Sequence, residues 1–285
     1  MLILFVFSSS VCCSAPVEID PLDKMPIMEN LPSSLRGYSP TEERGIEYRK
    51  FLAASVKIGF LNASGSGTIV YYDVEKNIAY VATCGHLWDN GTMSAKEGAA
   101  KKMKCKVIAY YHNKEKLKET KSYPADVIFY SHTADQDTAL ITFKPDWVPE
   151  YYPIASSNYV YKKNSIVHSC GCDGGREVAH YSVKIDQVND NVITKMNSPR
   201  PGRSGGGLMD DSGYYIGTCW GTQYIDGSGI GYFTPLADIH SFWGKQSGYE
   251  FLLNRPLKVK FAQTIPIKDH QQKKSYISPD YILIP

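Results

Sequence analysis

The sequence of 285 residues lacks an excess of charge of either sign: 31 Lys and Arg stand against 29 Asp and Glu, a formal net charge of +2. Without a basic surplus there is no electrostatic footprint for nucleic acid, and none is expected as a partner. Long apolar runs are also missing. The stretch Leu2-Ile3-Leu4-Phe5-Val6-Phe7 is far shorter than the ~20 residues that cross a bilayer as a helix, so no integral membrane span is expected. Paired Cys/His ligand sets are missing too. His168, Cys170 and Cys172 fall at a spacing of two, but no second pair at ligand spacing follows, and a structural zinc takes four ligands. No metal and no cofactor are expected.

Cysteine is sparse and odd in number. Of seven, Cys12 and Cys13 lie near the start, leaving Cys84, Cys105, Cys170, Cys172 and Cys219. At least one of these five stays free or pairs outside the chain, and spacing does not fix a connectivity. Residues 1–15 read as a secretory signal, an apolar run followed by small residues, and imply a secreted or periplasmic protein. That compartment permits disulfides.

What is present points to strands. Twenty-one tyrosines and ten phenylalanines favour β structure. Residues 16–53 form an extension with one helix over 40–53. Ser39 caps it, Pro40 takes the first helical position and Glu42 completes a capping box; the helix is expected on the outside of a first barrel. From Ser55 the period becomes two, with Val56, Ile58 and Phe60 on one face. A turn is expected over 62–65, then strands over 68–72, 78–83, 104–111, 125–130 and 138–143. A linker with three prolines, at 145, 149 and 153, follows. A second set of strands is expected over 165–170, 178–188, 192–196, 207–209, 214–220 and 229–233, closed by a helix over 236–243. Short strands with turns at this spacing describe an all-β fold of two antiparallel six-stranded barrels, residues 54–145 and 146–243, with a short N-terminal and a C-terminal helix. Residues 244–285 are a C-terminal extension.

The chemistry centres on Pro201-Gly202-Arg203-Ser204-Gly205-Gly206-Gly207, a serine in a run of glycines. Such a turn leaves room for a carbonyl to approach backbone N–H groups, and those of Gly202 and Ser204 could hold an oxyanion. A serine hydroxyl needs a base, and the base an orienting acid. His86, in Thr83-Cys84-Gly85-His86, follows an apolar strand. Asp137, in Asp135-Gln136-Asp137-Thr138-Ala139-Leu140, opens another, with Asp135 its near competitor. Cys84 reads as a packed or disulfide-bonded thiol rather than a nucleophile.

With these pieces the sequence resembles the trypsin-like (chymotrypsin-fold) serine peptidases, closest in character to the compact bacterial and HtrA-like branch without a PDZ domain. The matching stretches are Gly65-Ser66-Gly67-Thr68, Thr83 to His86, Asp137-Thr138-Ala139-Leu140, Gly202-Arg203-Ser204-Gly205-Gly206 and Ile216-Gly217-Thr218-Cys219-Trp220-Gly221. The resemblance implies a Ser204–His86–Asp137 triad, an oxyanion hole at Gly202 and Ser204, and no cofactor. It also implies an extended polypeptide substrate along Thr218, Cys219, Trp220 and Gly221, with Ser198 near the floor of a side-chain pocket. Trp220 is either a pocket wall or a core aromatic. Digestive members of the family carry an aspartate before the serine that pairs with a new N-terminus; Arg203 stands there in this chain. Two other functions remain open: a non-catalytic relative that binds peptides, and an esterase or acyl-transfer enzyme with the same triad.

Overall fold

A computed structural model describes residues 49–60, 63–88, 103–112, 117–132, 136–196, 200–225 and 228–255. The expected leader, most of the N-terminal extension, Asp135, Ser198 and the chain beyond 255 lie outside the described residues. Two helices and twelve strands carry the fold: α1 (Arg49–Ala53), β1 (Ser55–Phe60), β2 (Ala63–Asp73), β3 (Ile78–Thr83), β4 (Lys104–His112), β5 (Leu117–His132), β6 (Asp137–Phe143), β7 (Ile166–Gly171), β8 (Ala179–Val188), β9 (Val192–Met196), β10 (Gly207–Met209), β11 (Tyr215–Ile225), β12 (Ser228–Pro235) and α2 (Leu236–Trp243).

The strands close into two antiparallel barrels, in the orders β1-β2-β3-β6-β5-β4 and β7-β8-β9-β12-β11-β10. The two orders are the same path taken twice, the fold class expected from the sequence. Val56, Ile58, Val81, Val107, Val127 and Ile141 fill the first barrel. Val167, Val183, Ile185, Leu208, Ile216 and Phe233 belong to a second cluster that also takes in Val70, Tyr80, Ala82, Phe129 and Leu140 from the outer face of the first barrel. β3 and β6 are therefore covered on both faces. Their unbroken apolar sequences, IAYVAT and ALITF, follow from that double burial rather than from the alternation a half-exposed strand requires.

Several strand bounds differ from expectation, most at β2, β5 and β11, which runs to Ile225 rather than 220. β2 begins at Ala63, not 68, because 63–67 pair with β1 from Phe60↔Ala63 to Val56↔Gly67. Glycines allow that approach: a Cβ at Gly65 would lie 2.5 Å from Leu87 and one at Gly67 2.6 Å from Val81. β5 starts eight residues early, since it pairs with the whole of β4. α1 lies against β1 and β4 on the outside of the first barrel, as expected, and against β7 and β8 of the second barrel as well. Phe51 and Leu52 are buried in the second cluster, and the Phe51 ring stacks at 3.9 Å on His168 of β7 and at 5.5 Å on Tyr152. Local pattern gave this helix an apolar face but could not say that the second barrel would cover it too.

Candidate active site

β3 ends at Thr83, whose hydroxyl donates to Ser66 O at 2.7 Å, and the chain turns sharply so that Trp88 N donates to Gly85 O. Gly85 sits where a Cβ would lie 1.8 Å from the Ser131 carbonyl, so only glycine passes. The turn delivers His86 to Asp137, the first residue of β6. Asp137 Oδ1 accepts the backbone N–H groups of Gly85 (2.6 Å) and His86 (2.9 Å), and Oδ2 accepts His86 Nδ1–H at 2.6 Å. Both carboxylate oxygens are thus engaged by one turn. The bond at Nδ1 fixes the tautomer and leaves Nε2 with its lone pair. Nε2 faces the Cys84 sulfur at 3.6 Å. Ser204 Oγ makes no hydrogen bond among the described residues, so its hydroxyl is free to rotate.

Two neighbours raise the His86 pKa above its ordinary value: the Cys84 sulfur, then the Asp137 carboxylate through its hydrogen bond, against the opposing effect of burial. The sulfur acts this way only as a thiolate, and burial pushes the Cys84 thiol up. At neutral pH the thiol is uncharged, and Asp137 is the charge that steadies an imidazolium.

The glycine-rich turn that carries Ser204 comes from the second barrel and is tied to both. Ser66 N donates to Ser204 O (2.7 Å) and Ser66 Oγ to Gly202 O (2.7 Å), while Cys172 N donates to Ser66 Oγ (2.7 Å). Gly202 has φ +95° and Gly205 +86°; side chains there would strike Cys172 O at 2.4 Å and Ser66 O at 2.1 Å. The amides of Arg203, Gly205 and Gly206 donate to Arg200 O, Cys219 O and Arg203 O. Those of Gly202 and Ser204 have no acceptor among the described residues, an arrangement open to an incoming oxyanion.

The expected substrate strand is β11. Thr218 is buried, its hydroxyl against that of Tyr215. Cys219 commits both backbone groups, its N–H to Gly206 O (2.8 Å) and its carbonyl to Gly205 N (2.7 Å), so a peptide cannot pair there. Pairing with β10 has stopped at Thr218, and the edge on that side opens from Trp220 onward. Trp220 is not a core residue. It is 37% exposed, with its indole N–H on Asn191 Oδ1 at 2.8 Å and its ring 5.5 Å from Tyr232.

Several participants carried no sequence signal beyond a place in a turn or strand. Ser66 bridges the barrels as described. Thr234 Oγ1 donates to Asp137 O at 2.9 Å, and Trp243 Nε1 to Thr138 Oγ1 at 3.1 Å, both holding β6 against the second barrel. Asp173 pairs with the buried Arg203. All five described cysteines are free and buried. His168 and Cys170 do not share a solvent-facing edge; β7 is buried on both faces from Val167. Cys84, His86 and Asp137 have potential ligand atoms within 4.8 Å of one another. Three N–H groups already occupy the Asp137 oxygens, which leaves only the Cys84 sulfur and His86 Nε2, short of the set a structural zinc needs.

Twin six-stranded barrels with a histidine–carboxylate pair on one and a glycine-bound serine on the other define the class to which the chain is compared. Residues 65–217, more than half the sequence, match the model of the trypsin-like peptidase domain family. The chain belongs to that family. Among solved structures it is similar to the serine endoprotease from Yersinia pestis (TM-score 0.50, 18% identity, 73% of this chain and 67% of that one). It is likewise similar to the active form of the Rv3671c protease from M. tuberculosis (0.51, 17%, 78% and 94%) and to human heparin binding protein (0.51, 13%, 73% and 94%). At these identities the likeness is one of fold. No curated protein matches the sequence.

Proposed function

We propose that the protein is a serine endopeptidase that hydrolyses polypeptides through an acyl-enzyme. The observation that carries this reading is the 2.6 Å His86 Nδ1–Asp137 Oδ2 bond, which leaves the Nε2 lone pair for a proton. Ser204 Oγ attacks the scissile carbonyl and gives its proton to His86 Nε2. The oxyanion takes the N–H groups of Gly202 and Ser204. The imidazolium, steadied by Asp137, passes the proton to the leaving amine, and water repeats the cycle to release the acid. The substrate lies as an added strand on the open edge of β11 from Trp220 and Gly221. Export to a secreted or periplasmic location belongs to the same reading and rests on residues 1–15.

One observation favours the peptide-binding alternative: among the described residues Ser204 Oγ makes no hydrogen bond to His86, whose Nε2 faces the Cys84 sulfur. Intact mass after a fluorophosphonate decides between them. A single adduct on the wild type and none on Ser204→Ala is expected. Folded wild-type protein without an adduct would leave the binding module as the better account. Turnover of amide as well as ester substrates separates a peptidase from an esterase.

A further inference from the structure

Arg203 lies between the two residues whose N–H groups face the oxyanion position, yet its side chain points away and is fully buried. It meets Asp173 as a fork: Nε on Oδ1 at 2.7 Å and Nη2 on Oδ2 at 2.8 Å, with Nη1 on Ser169 Oγ at 3.2 Å. The Tyr181 ring covers the guanidinium, 4.0 Å from Cζ, and the Tyr181 hydroxyl donates to Asp173 Oδ2 at 2.6 Å. Asp173 opens the tight turn Asp173–Gly175, in which Gly174 and Gly175 take φ +62° and +68°. Burial opposes charge on this carboxyl, but Arg203 and Tyr181 outweigh it and hold Asp173 below its ordinary pKa.

The turn reaches the oxyanion amides through rigid peptide planes. Gly174 N donates to Pro201 O at 2.6 Å. That carbonyl shares its peptide with Gly202 N–H, so fixing one end directs the other. Gly206 N donates to Arg203 O at 2.9 Å and directs Ser204 N–H in the same way. The Asp173–Arg203 fork holds Gly174 opposite Pro201, beside the Arg200 backbone N–H on the Asp173 carboxylate and the Ser66 hydroxyl that links Cys172 to Gly202. A bidentate guanidinium–carboxylate pair sets angles as well as distance. A buried ion pair adds little stability over an apolar pair of similar volume, so its contribution here is geometric.

We propose that Arg203 and Asp173 are positioning residues whose buried pair aims the Gly202 and Ser204 N–H groups at the oxyanion. This rests on the peptidase reading for its catalytic consequence, though not for its structural one. The test compares Arg203→Lys, the apolar double variant Arg203→Met/Asp173→Leu and the exchanged pair Arg203→Asp/Asp173→Arg. Thermal midpoints, kcat, KM and amide hydrogen exchange at Gly174 and Gly206 are measured for each. Arg203→Lys keeps the charge but loses the fork. It should fold, lower kcat about 10²-fold, the scale of a lost oxyanion donor, leave KM within about threefold, and speed exchange at Gly174. The apolar variant should behave alike if it folds, and the exchanged pair should recover part of kcat. Folded variants with wild-type kcat and wild-type exchange at Gly174 would overturn the proposal. A wild type that gives no fluorophosphonate adduct would remove the peptidase reading alone, because exchange at Gly174 still reports whether the pair holds the turn.

Discussion

At the scale of single residues, His86 is governed by its two ring nitrogens. Asp137 holds Nδ1, so the imidazole keeps its proton to higher pH than an ordinary histidine. The acid limb of kcat/KM should therefore have its midpoint above about 6.5, the unperturbed value. A midpoint at or below it would show that the carboxylate does not steady the charged ring. On the other side, Cys84 faces Nε2, whose lone pair the proposed attack by Ser204 needs. A hydrogen bond of about 0.5–1.5 kcal/mol is at stake. Cys84→Ala should accordingly speed fluorophosphonate labelling about two- to tenfold; a slower rate would mean that the thiol supports the ring instead. Gly85 sets the distance between His86 and Asp137. Gly85→Ala must push the turn off the Ser131 carbonyl and should cost upward of about 3 kcal/mol in denaturant unfolding, among the larger effects of one substitution. An unchanged midpoint would mean the turn relaxes freely.

At the scale of elements, the docking of α1 depends on a pair of buried histidines. His168 Nε2 meets exposed Asp211 at 2.6 Å, and its Nδ1 meets His180 Nε2 at 2.8 Å, with Phe51 stacked on His168. One proton serves the bond between the rings, so the two cannot both be charged. Burial lowers both pKa values, and for His180 the His168 ring, Arg203 and Lys50 add to it; Asp211 and Asp210 pull His168 back only in part. The unfolded chain then binds more protons than the folded one below about pH 6.5, and stability falls as pH drops through that value. His180→Gln keeps a donor and removes one titrating ring. The wild type should lose more thermal stability between pH 7 and 5 than this variant; equal losses would place the sensitivity elsewhere. Asp173 acts lower, its contribution fading only as pH falls from the unfolded carboxyl value toward its depressed folded one.

At the scale of the molecule, the barrels share apolar surface and polar ties. Leu140 and Phe129 leave the first barrel to join the second cluster. Ser66, Thr234 and Trp243 add hydrogen bonds across the same boundary. Neither barrel keeps a covered exterior without the other, so unfolding in denaturant should be one cooperative transition. Tryptophan fluorescence, with Trp88 and Trp147 in the first cluster and Trp243 in the second, should coincide with far-ultraviolet circular dichroism. Two resolved transitions would show barrels that fold separately.

Much of this was legible in the chain itself. The period-two run placed β1, short stretches bounded by turns placed β3 and β9 to the residue, and the closing helix α2 was expected at its observed bounds, 236–243. Local spacing also named His86 and Asp137, which one turn joins, because glycine and short strands leave few places for a base to go. Contacts between distant segments were not legible. Ser66 looked like one more small residue of a glycine-rich strand, Asp173 like a turn former, and Cys219 like a strand residue open to substrate. Each acquires its part from a segment tens of residues away, through distances that only closure of both barrels sets. The sequence by itself determined the strands, their grouping into two barrels and the residue types at the candidate site. Tertiary structure decided that both barrels cover α1, which stretch of β11 stays open, and that the arginine before Ser204 is neutralised from β7's turn, since burial and pairing depend on what arrives from elsewhere in the chain.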